Sequence, residues 1–279
     1  MKVRGGYDFP GSNSGTDLAV LTGWIPQQVF LHDEEIEQDQ LWSELVSAFR
    51  VGNIILTIGT GKLPRGEQKQ LGLAAEHDYA VLDLHDDGPV KEMLLKNPWA
   101  DGDVWKGALR RRPNPTAVED SEIAATVSQD NQTEDMMPGT FWIQLHHVFQ
   151  YFDNLYINWN PCLFSHRQDM HFSWQTPLSG SARNIFITNP QFSVSCSKPG
   201  KVWILLNRHF RTGDYTHANH GKNGYISLYL YKRNGTRLLS SEGAEIRGPF
   251  VDSPNTLLKY EVLGNAPFTV VVASHDLPP

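Results

Sequence analysis

Apolar positions follow two different rhythms along this chain. Up to about residue 160 they fall at helical and strand spacings in turn, whereas beyond about residue 165 they alternate with polar residues. In DEEIEQDQLWSELVSAFRVGN, Leu41, Leu45 and Phe49 recur at i+4 with Trp42 and Val46 alongside. That spacing predicts an amphipathic helix with acidic residues at its start and Gly52 at its end. The continuous run NIILTI, 53–58, predicts a strand buried on both faces. GTFWIQL and LYINWNP predict two further strands, and HHVFQYF a short helix burying Val148, Phe149 and Phe152. Residues 5–18, rich in Gly, Ser, Asn and Pro, read as a loop, followed by the apolar entry LAVLTGWIP. LPRGEQKQLGLAAE reads as a surface loop, and the polar stretch 108–138, which has no aromatic residue, as a long exposed insertion with a short helix around SEIAATV.

In the C-terminal part, FSVSCS puts Phe192, Val194 and Cys196 on one face and three serines on the other. KPGK is then a turn and VWILLNRHF the returning strand. YISLYLYKRNGTRLL repeats the design, with Ile226, Leu228 and Leu230 alternating against Ser227, Tyr229 and Tyr231 before an Asn-Gly turn. LLKYEVLGNAPFTVVVASH supplies a last pair of strands. Short strands at this spacing imply an antiparallel β-sandwich over 165–279. Residues 1–160 then form a separate domain, the boundary lies between Asn160 and Trp174, and the fold class is α+β and β-rich.

Composition narrows the partners. With 279 residues, 40% hydrophobic and 11% aromatic, the chain can build real cores. The 24 basic against 31 acidic residues, a net charge of -7, argue against nucleic acid. No apolar run reaches the length of a signal peptide core or a membrane span, so no transmembrane segment is expected. The two cysteines, Cys162 and Cys196, are too few for a disulfide framework and point to a reducing, cytoplasmic setting, with one bridge between them left open. The sequons at Asn131 and Asn234 carry no meaning in that setting.

Two local motifs are weak. Gly59-Thr60-Gly61-Lys62 follows a strand, but a phosphate loop needs a glycine where Leu56 stands and a hydroxyl where Leu63 stands, so an ordinary turn is expected. His146 and His147 are adjacent, cannot face the same way, and make a poor metal pair. Asp86-Asp87 and Asp101-Gly102-Asp103 offer oxygen ligands without EF-hand spacing, so they read as exposed turn acids; no cofactor and no calcium dependence are expected.

The stretch EHDYAVLDLHDDGPVKEMLLKNPW carries more. HDYAVLDL and VKEMLLKN flank Asp86, Asp87, Gly88 and Pro89, which is turn chemistry. An antiparallel hairpin centred on Asp87 would set His77 directly opposite Asn97, with Cβ atoms about 5 Å apart. A His held by an Asn, with Trp99 following, is what a cysteine protease requires of its second half: a base, an orienting amide and a ring that excludes water. By pattern alone the structural reading comes first, since an isolated His and Asn at strand ends are more often structural and an Asn-Pro pair commonly just starts a turn.

Resemblance adds to this. GGYDFPGSNSGTDLAVLTGWIP, GLAAEHDYAVLDL, LKNPW followed by Trp105-Lys106-Gly107, GTFWIQL with VFQYFDNLYINWNP, and NPQFSVSCS with VWILLNRH together resemble the calpain family of cysteine proteases. The likeness is to the atypical calpains without EF-hands, a group that includes the fungal PalB-type proteases, and it covers nearly the whole chain. It implies that residues to about 160 are the second half of a papain-like catalytic core and that 165–279 are the C2-like β-sandwich called domain III. It also implies that His77 and Asn97 are the catalytic histidine and asparagine and Trp99 the shielding tryptophan. Asp78 stands where the family has a small residue, and on a strand it would point away from His77.

The family's nucleophilic cysteine precedes its histidine, yet no cysteine precedes His77 here, and neither Cys162 nor Cys196 is a credible substitute. The chain is therefore expected to be a fragment of an intracellular endopeptidase, inactive alone, whose partner is a protein substrate. The PalB likeness further implies a role in ambient-pH signalling. The alternative is a non-catalytic module whose β-sandwich binds an adaptor, a membrane-associated scaffold or a membrane surface. Net acidity disfavours a purely electrostatic lipid contact, and Lys198, Lys201, Arg208 and Arg211 read as solvated loop charges.

Overall fold

A computed structural model describes residues 12–99, 104–107, 137–173, 185–208 and 224–275. Asn13 opens the first regular element: its side-chain oxygen accepts the N–H of Thr16 at 2.9 Å and caps helix α1 (Ser14–Thr22). The expected loop therefore stops short of residue 14, because an Asn cap followed by small and apolar residues satisfies the helix-start rule despite the loop-like composition. Strand β1 (Ile25–Phe30) follows.

Helix α2 (Gln38–Arg50) begins after the acidic run and buries Trp42, Leu45 and Val46, with Leu41 and Phe49 half-buried at the margins of that stripe. Strand β2 (Ile54–Gly59) buries Ile54, Leu56 and Ile58, while Ile55 and Thr57 are half-buried, so one face is more accessible than the run of apolar residues predicts. The expected surface loop after it contains helix α3 (Arg65–Leu71), which buries none of its residues. Without an apolar stripe its signal lies only in its ends, Pro64 before it and Gly72 after it at φ 72°.

Strands β3 (Asp78–Asp86), β4 (Lys91–Lys96) and β5 (Thr140–Gln144), helix α4 (Leu145–Tyr151) and strand β6 (Asn154–Trp159) complete this region, and the sheet runs β1-β6-β2-β3-β4-β5. Helix α2 packs on β2 and β3, and α4 on β4 and β5. The expected insertion at 108–138, its short helix and the acids Asp101 and Asp103 lie outside the described residues, apart from Met137 and Pro138.

The remaining strands are β7 (Gln191–Val194), β8 (Gly200–Asn207), β9 (Tyr225–Tyr231), β10 (Ile246–Arg247), β11 (Asn255–Val262) and β12 (Phe268–His275). They form two antiparallel sheets, β10-β9-β12-β7 and β11-β8. One face follows the alternation: Ile226, Leu228 and Leu230 of β9 and Val270 and Val272 of β12 join Leu206, Leu258 and Val262 of the other sheet in one core. The opposite face, expected to be polar and open, is buried as well, with Ser227 and Tyr231 fully covered and Tyr231 packed with Phe186, Val271 and Ala273. Phe192, Val194 and Cys196 pack against that core.

The neighbours differ from expectation. KPGK does not fold β7 back on β8; β7 pairs with β12, and β8 with β11. The last two strands do not pair with each other either, since β12 lies between β7 and β9. An alternating strand states which face is buried but not which strand lies beside it. The Asn-Gly turn is present, with Asn234 at φ 50° and Gly235 at φ 70°.

Contacts group Val29–Ile157 as one unit and Met1–Gln28 with Asn158–Pro279 as the other, so the N-terminal stretch to Gln28 goes with the C-terminal strands instead of with the rest of 1–160. Two buried amides tie it there: Asn158 donates to the carbonyl of Gly15 at 2.8 Å, and Asn255 reaches Thr16 Oγ1 at 3.4 Å. Lys259 Nζ sits 4.2 Å from the ring of Trp159 and 4.5 Å from that of Trp203.

Candidate active site

His77 is the residue before β3, and Asn97 the residue after β4. The turn between the strands is built by Asp86, whose carboxylate accepts the Gly88 N–H at 2.9 Å, and by Asp87, which accepts from Val90 at 3.1 Å. The hairpin is not centred on Asp87. Asp86 faces Lys91 and Leu84 faces Met93, but a bulge between Val81 and Asp83 shifts the register so that Val81 faces Leu95 and Ala80 faces Lys96. Carried past Lys96, that register sets Asn97 against Tyr79 and Trp99 against His77. Direct opposition of His77 and Asn97 is thus corrected to a diagonal relationship, still within reach of long polar side chains.

The side chains do meet. His77 Nε2 lies 3.0 Å from Asn97 Oδ1, and that oxygen also accepts the backbone N–H of Trp99 at 3.0 Å. A backbone N–H can only donate, so it fixes which end of the amide is oxygen. A carbonyl oxygen can only accept, so Nε2 carries a proton and the neutral ring keeps its lone pair on Nδ1. The ring of Trp99 lies 4.1 Å from that of His77, tilted 35°. Asn97 is 1% exposed and Trp99 57%, so the amide is sealed while the indole presents a surface to solvent. His77 also meets Tyr79 edge-on, with ring centroids 4.9 Å apart at 84°.

The backbone carrying His77 is held by residues whose role no sequence pattern marks. Thr60 N–H donates to the carbonyl of His77 at 3.0 Å, and His77 N–H donates to Thr60 Oγ1 at 3.2 Å. Thr60 Oγ1 donates to the carbonyl of Ala74 at 2.6 Å, and the Ala74 N–H donates to Tyr79 Oη at 2.9 Å. Glu76 sits at φ 50°, one of two described non-glycine residues in the left-handed region, and its N–H bonds Gly61 O at 2.8 Å. Gly59 ends β2, and Thr60 and Gly61 continue as irregular chain without the expected turn, in a crowded exit. A Cβ on Gly61 would lie 1.9 Å from Asp153 Oδ2, and one on Gly59 2.5 Å from Asp78 Oδ1.

Asp78 lies on the far side of the strand from His77, beside Tyr156. Burial, with Asp78 and Asp153 adding to it, pushes the Tyr156 phenol well above its ordinary range. His146 and His147, expected to diverge, bring their rings within 3.9 Å; His147 turns inward against Trp105 and Tyr151, and His146 is exposed. Both cysteines are free thiols, Cys162 exposed and Cys196 half-buried. No group of three or more metal-ligating side chains occurs among the described residues, and none of their helices is long and apolar enough to cross a membrane.

Residues 1–158 match the sequence model of the calpain family cysteine proteases. The full chain is 45% identical to a calpain-like protease palB/RIM13 of Aspergillus oryzae and 47% identical to a calpain-like protease palB of Emericella nidulans, covering 32% and 31% of those proteins. It is 34% identical to human calpain-7 over 99% of this chain and 35% of that protein. The chain thus spans about a third of the length of the curated relatives it matches.

Proposed function

The chain belongs to the calpain family of cysteine proteases, and from that premise we propose that it supplies the proton-handling half of an endopeptidase site, with His77 as base and acid and Asn97 orienting it. The observation that carries this reading is the bond from His77 Nε2 to an amide oxygen whose direction is fixed by Trp99. It leaves Nδ1 as the ring atom that can take the proton of a thiol. The thiolate attacks the scissile carbonyl, His77 returns the proton to the departing amine, and water, deprotonated by the same nitrogen, releases the acyl group from sulfur.

The nucleophile is assigned to polypeptide outside these 279 residues, since no cysteine precedes His77. Residues around His77 and Asn97 then form the second half of a papain-like core, and the two C-terminal sheets a β-sandwich of the domain III kind. A protein is the substrate, a scaffold or adaptor fits the C-terminal strands as a partner, and two free thiols fit a cytoplasmic setting. The test is cleavage of fluorescent casein by the chain alone and by the chain joined to a cysteine-bearing calpain first half. Activity only in the joined protein, abolished by His77→Ala, is expected. Cleavage by the chain alone that His77→Ala removes overturns the assignment of the nucleophile, and an inert joined protein counts against the protease reading.

A further inference from the structure

We propose that Thr60 is a positioning residue for His77, its hydroxyl holding the backbone from which the imidazole reaches Asn97; this rests on the reading of His77 and Asn97 given above. Strand β2 pairs with β3 so that Ile58 faces Tyr79 and Gly59 faces Asp78; one step further, Thr60 faces His77. A regular antiparallel pair at that step would exchange two backbone bonds. Only one is made, from Thr60 N–H to the His77 carbonyl at 3.0 Å. In place of its own carbonyl, Thr60 offers its hydroxyl oxygen to the His77 N–H at 3.2 Å.

The hydroxyl has one proton to give. The carbonyl of Ala74 at 2.6 Å is the better acceptor than that of His77 at 3.2 Å, and the latter already receives the Thr60 N–H. Thr60 Oγ1 therefore accepts from His77 and donates to Ala74, bridging both ends of the segment 74–77. Tyr79 closes the same segment from the other side by accepting the Ala74 N–H at 2.9 Å while its ring abuts the imidazole. Within the segment, Glu76 is held at φ 50°. A non-glycine residue keeps that conformation only where its surroundings over-determine it, and the bridge from Thr60 is the side-chain part of that constraint. Thr60 itself is 5% exposed, so water does not replace its bonds.

The hydroxyl of Thr60 can be separated from its shape. Thr60→Val keeps the volume and leaves the His77 N–H and the Ala74 carbonyl without the bridge; Thr60→Ser keeps the bridge and loses a methyl. The readout is the imidazole Nε2–H of His77 in the 279-residue chain, followed by 15N-resolved NMR and its exchange with water. Thr60→Val should speed that exchange about tenfold, the worth of roughly one lost hydrogen bond, and blur the tautomer preference, while Thr60→Ser keeps both. Asn97→Ala is the control that removes the acceptor. If Asn97→Ala accelerates exchange and Thr60→Val does not, the role of Thr60 falls and the reading of His77 with Asn97 stands. If Asn97→Ala leaves the Nε2–H unchanged, that reading falls and this inference with it. Should Thr60→Val not fold, Thr60→Ser decides: wild-type exchange supports the hydroxyl, and accelerated exchange overturns it.

Discussion

Asn97 Oδ1 accepts from His77 Nε2 and from the backbone of Trp99, each at 3.0 Å, so one buried oxygen sets the imidazole tautomer and anchors the residue whose ring covers it. The two functions are separable by mutation. Asn97→Ala removes the oxygen and both bonds, whereas Trp99→Ala keeps the backbone N–H and removes only the ring. In a joined, active enzyme, loss of the base by His77→Ala should cost about 10²–10⁴-fold in kcat/KM. Asn97→Ala should cost less, because the base survives unoriented, and Trp99→Ala least, mainly in kcat. Steady-state kinetics on one peptide substrate gives the order; a Trp99→Ala loss larger than that of Asn97→Ala would refute it.

Glu76 tests the strain beside the site. At φ 50° a β-branched side chain crowds its own backbone, so Glu76→Val should destabilise the chain by roughly 1–2 kcal/mol. Glu76→Gly relieves the conformation but loosens the unfolded chain by about 0.4–1 kcal/mol, and the two nearly cancel. Urea unfolding of the three proteins should thus rank valine well below a near-equal glycine and wild type. Equal stability of the valine variant would mean that Glu76 is not constrained.

Trp42 and Asp86 link helix α2 to the hairpin, Trp42 Nε1–H donating to the carboxylate at 2.8 Å. The Gly88 N–H first, and the indole N–H second, hold the Asp86 carboxyl below its ordinary 3.8. A folded value below the unfolded one stabilises at pH above the ordinary carboxylate range, and this contribution disappears as pH falls through the folded value. Asp86→Asn should therefore be less stable than wild type at pH 7, by about 1 kcal/mol or less given solvent screening. The gap should close below about pH 4. Denaturant midpoints that stay equally far apart at pH 7 and pH 3 would rule this out.

How much of this was legible depends on what each residue does. Helix α2 could be read because Trp42, Leu45 and Val46 mark a face; α3 could not, because it buries nothing and only Pro64 and Gly72 announce it. His77 and Asn97 could be read as neighbours because turn residues fold one strand on the other, but the bulge before Asp83 changes the register without changing any residue's polarity. In the C-terminal sheets one buried face is legible, but the second, with Ser227 and Tyr231, is not, because nothing in an alternating strand states what covers its polar side. The pairings are not legible either, because β7 and β8 contribute apolar faces to one core from different sheets. Thr60 was hidden for a different reason: its partners are backbone atoms of His77 and Ala74, which no residue type encodes.

His147 supplies a second pH dependence nearer neutrality. Burial first, and the neighbouring His146 second, hold its imidazole below the ordinary 6.5. Among the described residues its buried Nδ1 has no hydrogen-bond partner to ease protonation. The unfolded chain then binds a proton that the folded one resists, so this residue erodes stability as pH falls from about 6.5 through its folded value. His147→Phe keeps ring packing on Trp105 and Tyr151 and removes the titration. The variant should gain on wild type between pH 7 and pH 5 in denaturant unfolding, and parallel pH profiles would exclude His147 as the source.

Gly61 and Asp153 give the sharpest steric test, because a single methyl group decides it. A Cβ on Gly61 would stand 1.9 Å from Oδ2 and 2.4 Å from Cγ of Asp153, well inside contact distance. The Asp153 side chain is short, and its backbone is fixed at both ends, its N–H on Gly59 O and its carbonyl on Leu31 N–H, each at 2.9 Å. With the backbone held, the carboxylate can clear the methyl only by changing rotamer and giving up its contact with His32, so Gly61→Ala should cost up to about 1–3 kcal/mol, as overpacking typically does. Asp153→Ala alone should cost little, since its contact with His32 at 3.3 Å joins two side chains about half exposed. The double variant removes the obstacle and should recover most of the loss, giving a coupling energy of about 0.5–3 kcal/mol in a double-mutant cycle. Additive effects of the two substitutions would mean that the clash is relieved elsewhere, and that the glycine is not required by Asp153.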